Sequence, residues 1–365
     1  VYPLFMFITQ IYSQIMLGLK QPRKTAVFTL FSVATDFVLI LGTALITKNL
    51  YYIVLALMVS ALLQWGFAQF QLRHWLTKVS FDPGFYQEVF RYSLPLGLSS
   101  IIGMLSIQLD KLVVSGFFTP AQYAVFSIGA MELPFISILN NSVNAILLPH
   151  ISSEPAKMTE VYRAAVRKNA LVIFPFAVLG LIFATPLITF LYTETYLGSV
   201  PFFRVYLLNL PLRVATYGII FMALRKTRYI MINSLVTLGL NLVLNLVLVR
   251  LIGMMGAVIA TVIVTWLSVA LYLYWMRHKL GLDLTELFPL KALLKTLLVA
   301  GISALPAYAV FWIFGRGWAF QFVALFVYLV TFVVLGKLSN AILPYDIEYA
   351  QKLWAQFKSR FVKAR

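Results

Sequence analysis

The chain has 365 residues, of which 61% are hydrophobic, 15% aromatic and only 11% charged, and its mean hydropathy is +0.90. Water-soluble domains carry about 25% charged residues, so a soluble fold is excluded and the chain reads as an integral membrane protein. The formal charge of +17 does not signal nucleic acid, because the basic residues sit between apolar runs rather than along one stripe. The absence of cysteine excludes disulfides and thiolate metal sites.

Seven uncharged runs each reach the ~20 residues needed to cross a bilayer: Val1 to Leu19, Asn49 to Leu72, Asn169 to Thr193, Tyr229 to Val249, Leu251 to Met276, Thr296 to Gly315 and Trp318 to Gly336. The alternating segments of a transmembrane β-barrel are absent. Four more runs span if one or two charges each are admitted: Thr25 to Thr47, Tyr92 to Gly116, Ala121 to Pro149 and Ser199 to Ala223. The first run lacks the charged n-region of a signal peptide, and the start reads as a cut inside a larger protein. With eleven spans, one set of alternate connections carries 23 of the Lys and Arg residues and the other set only Lys48, Arg250 and Arg316. Positively charged connections stay cytoplasmic, which predicts a cytoplasmic C-terminus. The connections are too short for an extramembrane catalytic domain, so no enzyme is expected. After Pro344, residues Ile347, Ala350, Leu353, Trp354, Phe357 and Phe361 form an apolar stripe at helical spacing, as in an amphipathic helix lying on the inner leaflet.

An internal repeat runs through the chain. Leu19-Lys20-Gln21-Pro22-Arg23, before a span holding Asp36-Phe37-Val38-Leu39, matches Leu224-Arg225-Lys226-Thr227-Arg228, before a span holding Asn241-Leu242-Val243-Leu244, at a constant shift of 205 residues. Repeated halves are a common way for transporters to build a midplane site.

Ionisable residues inside a span cost at least ~2.5 kcal/mol on insertion scales and face a cavity or a partner. Ser99, Gly103, Ser106 and Asp110 recur at helical spacing and describe a cavity wall. Lys111 lies about 100° away from Asp110 on the helix and must look to another helix or a ligand. In the seventh span Tyr206, Asn209, Arg213 and Thr216 form a second polar stripe, loosened by Pro211. The guanidinium of Arg213 offers a donor fork that fits phosphate. In the fifth span Ser137, Asn141 and Asn144 share a face. The candidate cavity residues are therefore Arg213, Lys111, Asn209, Ser106 and Asn141, and the candidate ion-coupling or counter-charge residues are Asp110, Asp36 and Glu132. Asn241 and Asn245, four residues apart, read as interhelical glue. Arg204 reads as an interface residue. The three histidines have no metal spacing, and no metal or other cofactor is expected, with coupling to H+ or Na+ left open.

Three stretches carry a family resemblance: Arg91-Tyr92-Ser93-Leu94-Pro95-Leu96 with Gln108-Leu109-Asp110-Lys111 and Gln122-Tyr123-Ala124-Val125-Phe126-Ser127; Ala223 to Arg228 through Asn241 and Asn245; and Gly253 to Thr261. They resemble the multidrug/oligosaccharidyl-lipid/polysaccharide flippase superfamily, and within it the polysaccharide exporters of the O-antigen flippase type. The resemblance implies an all-α, polytopic membrane bundle of MATE-like two-lobe architecture, of which helices 4 to 14 are present. Residues 1–72 would be the remainder of the N-terminal lobe, 90–276 the C-terminal lobe, 291–338 two extra helices and 344–365 the cytoplasmic tail. The implied function is translocation of a polyprenyl-diphosphate-linked oligosaccharide by alternating access, for cell-surface polysaccharide synthesis, in a bacterial or archaeal cytoplasmic membrane. The implied partners are that glycan lipid, membrane lipid and polysaccharide-assembly proteins, with no nucleic acid. The alternative is a MATE-like cation-coupled multidrug antiporter, which would want a net acidic cavity.

Overall fold

The computed structural model describes residues 2–19, 21–73, 82–131, 133–314, 317–346 and 348. Glu132 and nearly all of the tail helix expected after Pro344 lie outside the described residues. The described residues are helical or connecting, with no strand among them, and nine of their helical stretches are long and apolar enough to cross a membrane. The chain divides into two units, Val1–Phe85 and Tyr86–Arg365.

In the first unit α1 (Tyr2–Gly18), α2 (Pro22–Asp36), α3 (Gly42–Thr47) and α4 (Leu50–Leu72) pack together. A π-helical turn, Phe37–Leu41, joins α2 to α3 directly after Asp36. Such turns widen a helix by one residue and tend to mark functional positions. Tyr12, Met16, Phe28, Ala68 and Leu72 form the small core of this unit.

The second unit begins within α5 (Pro83–Phe117) and continues through α6 (Pro120–Gly129), α7 (Pro134–Ser153), α8 (Met158–Tyr192), α9 (Val200–Tyr206), α10 (Gly218–Ala223), α11 (Arg228–Ile252), α12 (Met254–Leu280), α13 (Leu284–Leu287), α14 (Leu290–Phe314) and α15 (Trp318–Leu338). Thr119 and Gln122 close a capping box at the start of α6, with Pro120 at its first turn. The span read as continuous from Ala121 to Pro149 is instead two helices. Pro134 opens α7, has no N–H to give α6, and holds Leu133 extended (φ −72°, ψ 115°).

Two glycines fix the α11–α12 pair. Gly253 turns the chain at φ +67°, and a Cβ on Gly256 would stand 2.1 Å from the backbone oxygen of Leu248, so only glycine admits this approach.

The pair α14–α15 belongs to the second unit and packs on α8. Small buried residues, Ala300, Ser303, Ala307 and Ala324, line its seams, as dispersion-driven packing between membrane helices favours. The Tyr328 hydroxyl donates to the carbonyls of Pro175 in α8 (3.2 Å) and Ala300 in α14 (3.3 Å).

The basic end of α8 holds the connections. Arg163 donates to the carbonyls of Thr285 (2.8 Å) and Glu286 (2.7 Å). Arg167 grips both oxygens of Asp346 at 2.6 and 2.7 Å. Asp283, which caps α13, has its carboxyl held below the usual range because the Thr285 backbone N–H and hydroxyl both donate to it.

Candidate functional site

The stretch expected as one span from Ser199 to Ala223 is not a regular helix. After α9 the backbone tightens to a 3-10 helix over Leu207–Val214, and Ala215 is extended (φ −126°, ψ 142°) before α10 begins. Pro211 lies within the tightened segment and contributes no backbone donor. Irregular backbone at membrane depth is tolerated only where protein buries it or where it lines a cavity. Both conditions hold here. On one side the buried Asn169 of α8 donates through Nδ2 to the Val214 carbonyl at 3.1 Å. On the other side Asn209, Arg213 and Thr216 face a cavity of about 490 Å³.

Three further walls enclose that cavity. Ser106 and Asp110 come from α5, and Ser137, Asn140, Asn141 and Asn144 come from α7. From α11 and α12 come Thr237, Asn241, Thr261, Thr265 and Ser268. On α7 and on α12 the polar residues recur at three- and four-residue spacing, so each helix turns one hydrophilic face inward.

Asp110 is only 3% exposed. Its carboxylate accepts from the Tyr206 hydroxyl and, at 2.8 Å, from the Lys111 backbone N–H. Asn241 donates to the Ser106 carbonyl at 3.2 Å and itself accepts from Asn245 at 2.7 Å, so the two buried asparagines tie α11 to α5 while one edge of Asn241 stays on the cavity.

Five side-chain atoms of lining residues are buried without a hydrogen-bond partner among the described residues: Ser106 Oγ, Asn140 Oδ1, Asn144 Oδ1, Asn209 Oδ1 and Thr261 Oγ1. Buried polar atoms are almost always satisfied by protein, water or ligand. Together with the other Asn, Ser and Thr residues of the lining, these five make the wall of this void polar but mostly uncharged. Among the described residues the formal charges lining the cavity are Asp110 and Arg213, which balance.

Of the residues singled out from the sequence, Ser106, Asp110, Asn141, Asn209 and Arg213 meet in this cavity. Lys111 is half-buried and is not among the lining residues; its side chain leaves the α5 surface on another bearing than that of Asp110. Asp36 belongs to the first unit, where it accepts from Ser60 Oγ at 2.6 Å and Gln64 Nε2 at 3.0 Å. Arg204 lines a separate cleft. The sequence reading missed the α12 wall, although Thr261, Thr265 and Ser268 at helical spacing in an otherwise apolar span were a usable signal. It also missed the aromatic side of the cavity, where Tyr217 and Tyr272 stack with centroids 6.3 Å apart.

The chain thus defines a multi-pass helical bundle with a polar cavity beside a broken helix, and solved structures share its fold. The chain is similar in fold to the lipid II flippase MurJ in an inward closed conformation, with a TM-score of 0.69 and 17% identity over 92% of this chain and 71% of that one. It is also similar to a point mutant of the Vibrio cholerae MATE transporter VcmN, with a TM-score of 0.57 and 16% identity over 74% of this chain and 66% of that one. A family model described as "Polysaccharide biosynthesis protein" matches residues 8–201, just over half of the chain, and the chain belongs to that family. No curated protein sequence matches it.

Proposed function

We propose that this chain moves a polyprenyl-diphosphate-linked oligosaccharide from the inner to the outer leaflet of a bacterial or archaeal cytoplasmic membrane by alternating access. The observation that carries this reading is the wall of Asn, Ser and Thr side chains, from four sides, around the 490 Å³ cavity. Sugar hydroxyls both donate and accept, and a wall of Asn, Ser and Thr side chains matches them without formal charge. Arg213 is the residue assigned to the diphosphate, since its planar fork can bind phosphate oxygens in pairs. Asp110 is assigned as counter-charge or ion-coupling group. Lys111 is given no role in this reading. The family membership and the likeness to a lipid II flippase support the same reading.

The test is transfer of a fluorescent lipid-linked oligosaccharide across proteoliposomes. Wild-type protein is expected to transfer it, and a variant with Asn140, Asn144 and Asn209 all changed to Leu is expected to lose transfer while remaining inserted. Efflux of cationic dyes without glycan-lipid transfer would replace this reading with the antiporter, for which a cavity of balanced charge is a poor site.

A further inference from the structure

A second cleft, of about 570 Å³, lies away from the cavity, where the end of α8, the turn Glu194–Ser199 and α9 meet the far half of α14 and the first turn of α15. Its position along the membrane normal follows from α8. Arg167, near the basic end, and Glu194 are 27 positions apart in the chain, which at the helical rise is about 40 Å. That is about the thickness of a bilayer with its headgroups, so the cleft sits at the boundary opposite the basic, cytoplasmic one.

Glu194 and Arg204 line this cleft together, and neither has a hydrogen-bond or ion-pair partner among the described residues. Tyr308 and Trp312, one helical turn apart on α14, stand beside them at 61% and 84% exposure, and Gln321 closes the α15 side. Leu305 on α14 and Phe322 and Phe326 on α15 are exposed apolar residues near the cleft in sequence. The backbone at Thr193, immediately before Glu194, is held at φ 76°, ψ 169°, a region that disfavours side chains and in which strain persists only where the surroundings enforce it. The turn that carries Glu194 over the cleft is thus kept in place against its local preference.

An aromatic belt with an arginine is the ordinary dress of a membrane interface. A carboxylate in the same cleft is not, because an anionic headgroup would be repelled by it. We propose that the cleft is a binding site for a zwitterionic phospholipid whose headgroup carries a primary ammonium, the phosphatidylethanolamine class. Arg204 takes the phosphate through its fork, and Glu194 accepts hydrogen bonds from the ammonium. Tyr308 and Trp312 cover the glycerol region, where rings with one wet and one apolar edge are favoured. A choline headgroup has no N–H to give Glu194 and is discriminated against on that ground.

Native mass spectrometry of the detergent-purified chain, titrated with phosphatidylethanolamine, phosphatidylglycerol and phosphatidylcholine, tests this. Phosphatidylethanolamine is expected to bind at least ten-fold more tightly than the other two. Glu194→Gln should bring it level with phosphatidylglycerol, and Arg204→Ala should weaken both. Glu194→Lys should invert the order in favour of phosphatidylglycerol, a gain that misfolding cannot produce. Soluble phosphoethanolamine should compete only weakly. Equal binding of the three lipids by the wild-type chain, or an unchanged order in Glu194→Lys, overturns the proposal. Phosphoethanolamine binding as tight as the lipid overturns the lipid assignment.

Discussion

Replacing Asn169 with Ala isolates what holds the broken segment in place. In the wild-type chain Asn169 Nδ2 donates to the Val214 carbonyl at 3.1 Å, and Asn169 is only 4% exposed. Ala215 is extended, so the helix that follows does not return a donor to that carbonyl. Hydrogen bonds between membrane helices average only about 0.6 kcal/mol by double-mutant cycles. Leaving a buried carbonyl unpaired adds the desolvation cost, about 1 to 3 kcal/mol. The two figures bracket an expected loss of about 1 to 2 kcal/mol, a few degrees in melting temperature for a unit of this size.

The assay is thermal unfolding of detergent-solubilised protein, together with the labelling rate of a single cysteine placed at Thr216, a site free of background because the chain has no cysteine. Asn169→Ala should lower the melting temperature and speed labelling, since the segment Leu207–Val214 loses its tie to α8. Asn169→Leu, similar in volume but with no donor, should speed labelling as Ala does, which separates the lost hydrogen bond from the space that Ala leaves. A variant that melts as wild type and labels at the wild-type rate would show that the break is held by other contacts and would refute the reasoning.

Four further outcomes are expected. Arg213→Ala should abolish glycan-lipid transfer with the protein level unchanged, and Arg213→Lys should restore it only in part, because an ammonium keeps the charge without the fork; wild-type transfer by Arg213→Ala would remove the residue from the mechanism. Gly256→Ala should sharply reduce folded protein, measured as the monodisperse fraction after extraction, because the new methyl meets backbone rather than a movable side chain. Arg167→Ala should lower the melting temperature by the equivalent of about 3 to 5 kcal/mol if the Asp346 pair behaves as a buried one, since a lone carboxylate is left behind, and Asp346→Asn added to it should recover part of the loss. A cysteine at Tyr196 should be labelled from outside intact cells; labelling only after permeabilisation would reverse the topology read from the basic residues.

Much of the cavity was legible because its walls obey a period. Ser106 and Asp110 on α5, and Asn141 on α7, sit at helical spacing against an apolar background, and that spacing decides which face a residue joins before any packing is known. Asn209 and Arg213 were found by the same rule although their backbone is a 3-10 helix, in which positions four apart stand about 120° from each other rather than the about 40° of an α-helix. The rule fails where residues come together from different elements. Nothing in the sequence pairs Asn169 with Val214, 45 residues on, or sets Tyr206 against Asp110. Lys111 shows the converse. It was a candidate as an ionisable residue inside a span, and its bearing, about 100° from Asp110 on the helix, leaves it off the cavity lining.

The break in the seventh span also bears on how such a cavity can move. A regular helix from Ser199 to Ala223 would satisfy its own backbone and could rotate or slide as a rod. The tightened segment cannot, because its last carbonyl is held by Asn169 and its residues Leu207, Leu210 and Val214 are buried in the core that α8 organises. The same helix carries α14 and α15 through the Tyr328 hydroxyl and holds the connections at its basic end through Arg163 and Arg167. The cavity wall that bears Arg213 is therefore expected to stay with α8 and the α14–α15 pair when the cavity changes shape. The opposite walls have a different attachment: α11 and α12 are locked to each other at Gly256, and α11 reaches α5 through Asn241. Within this unit the Tyr206 hydroxyl, which donates to Asp110, ties the two groups together, so opening of the cavity between them is expected to require release of that bond. Arg213 and Asp110 then lie on the two sides of that tie, where a bound ion of either sign has leverage on the equilibrium between conformations.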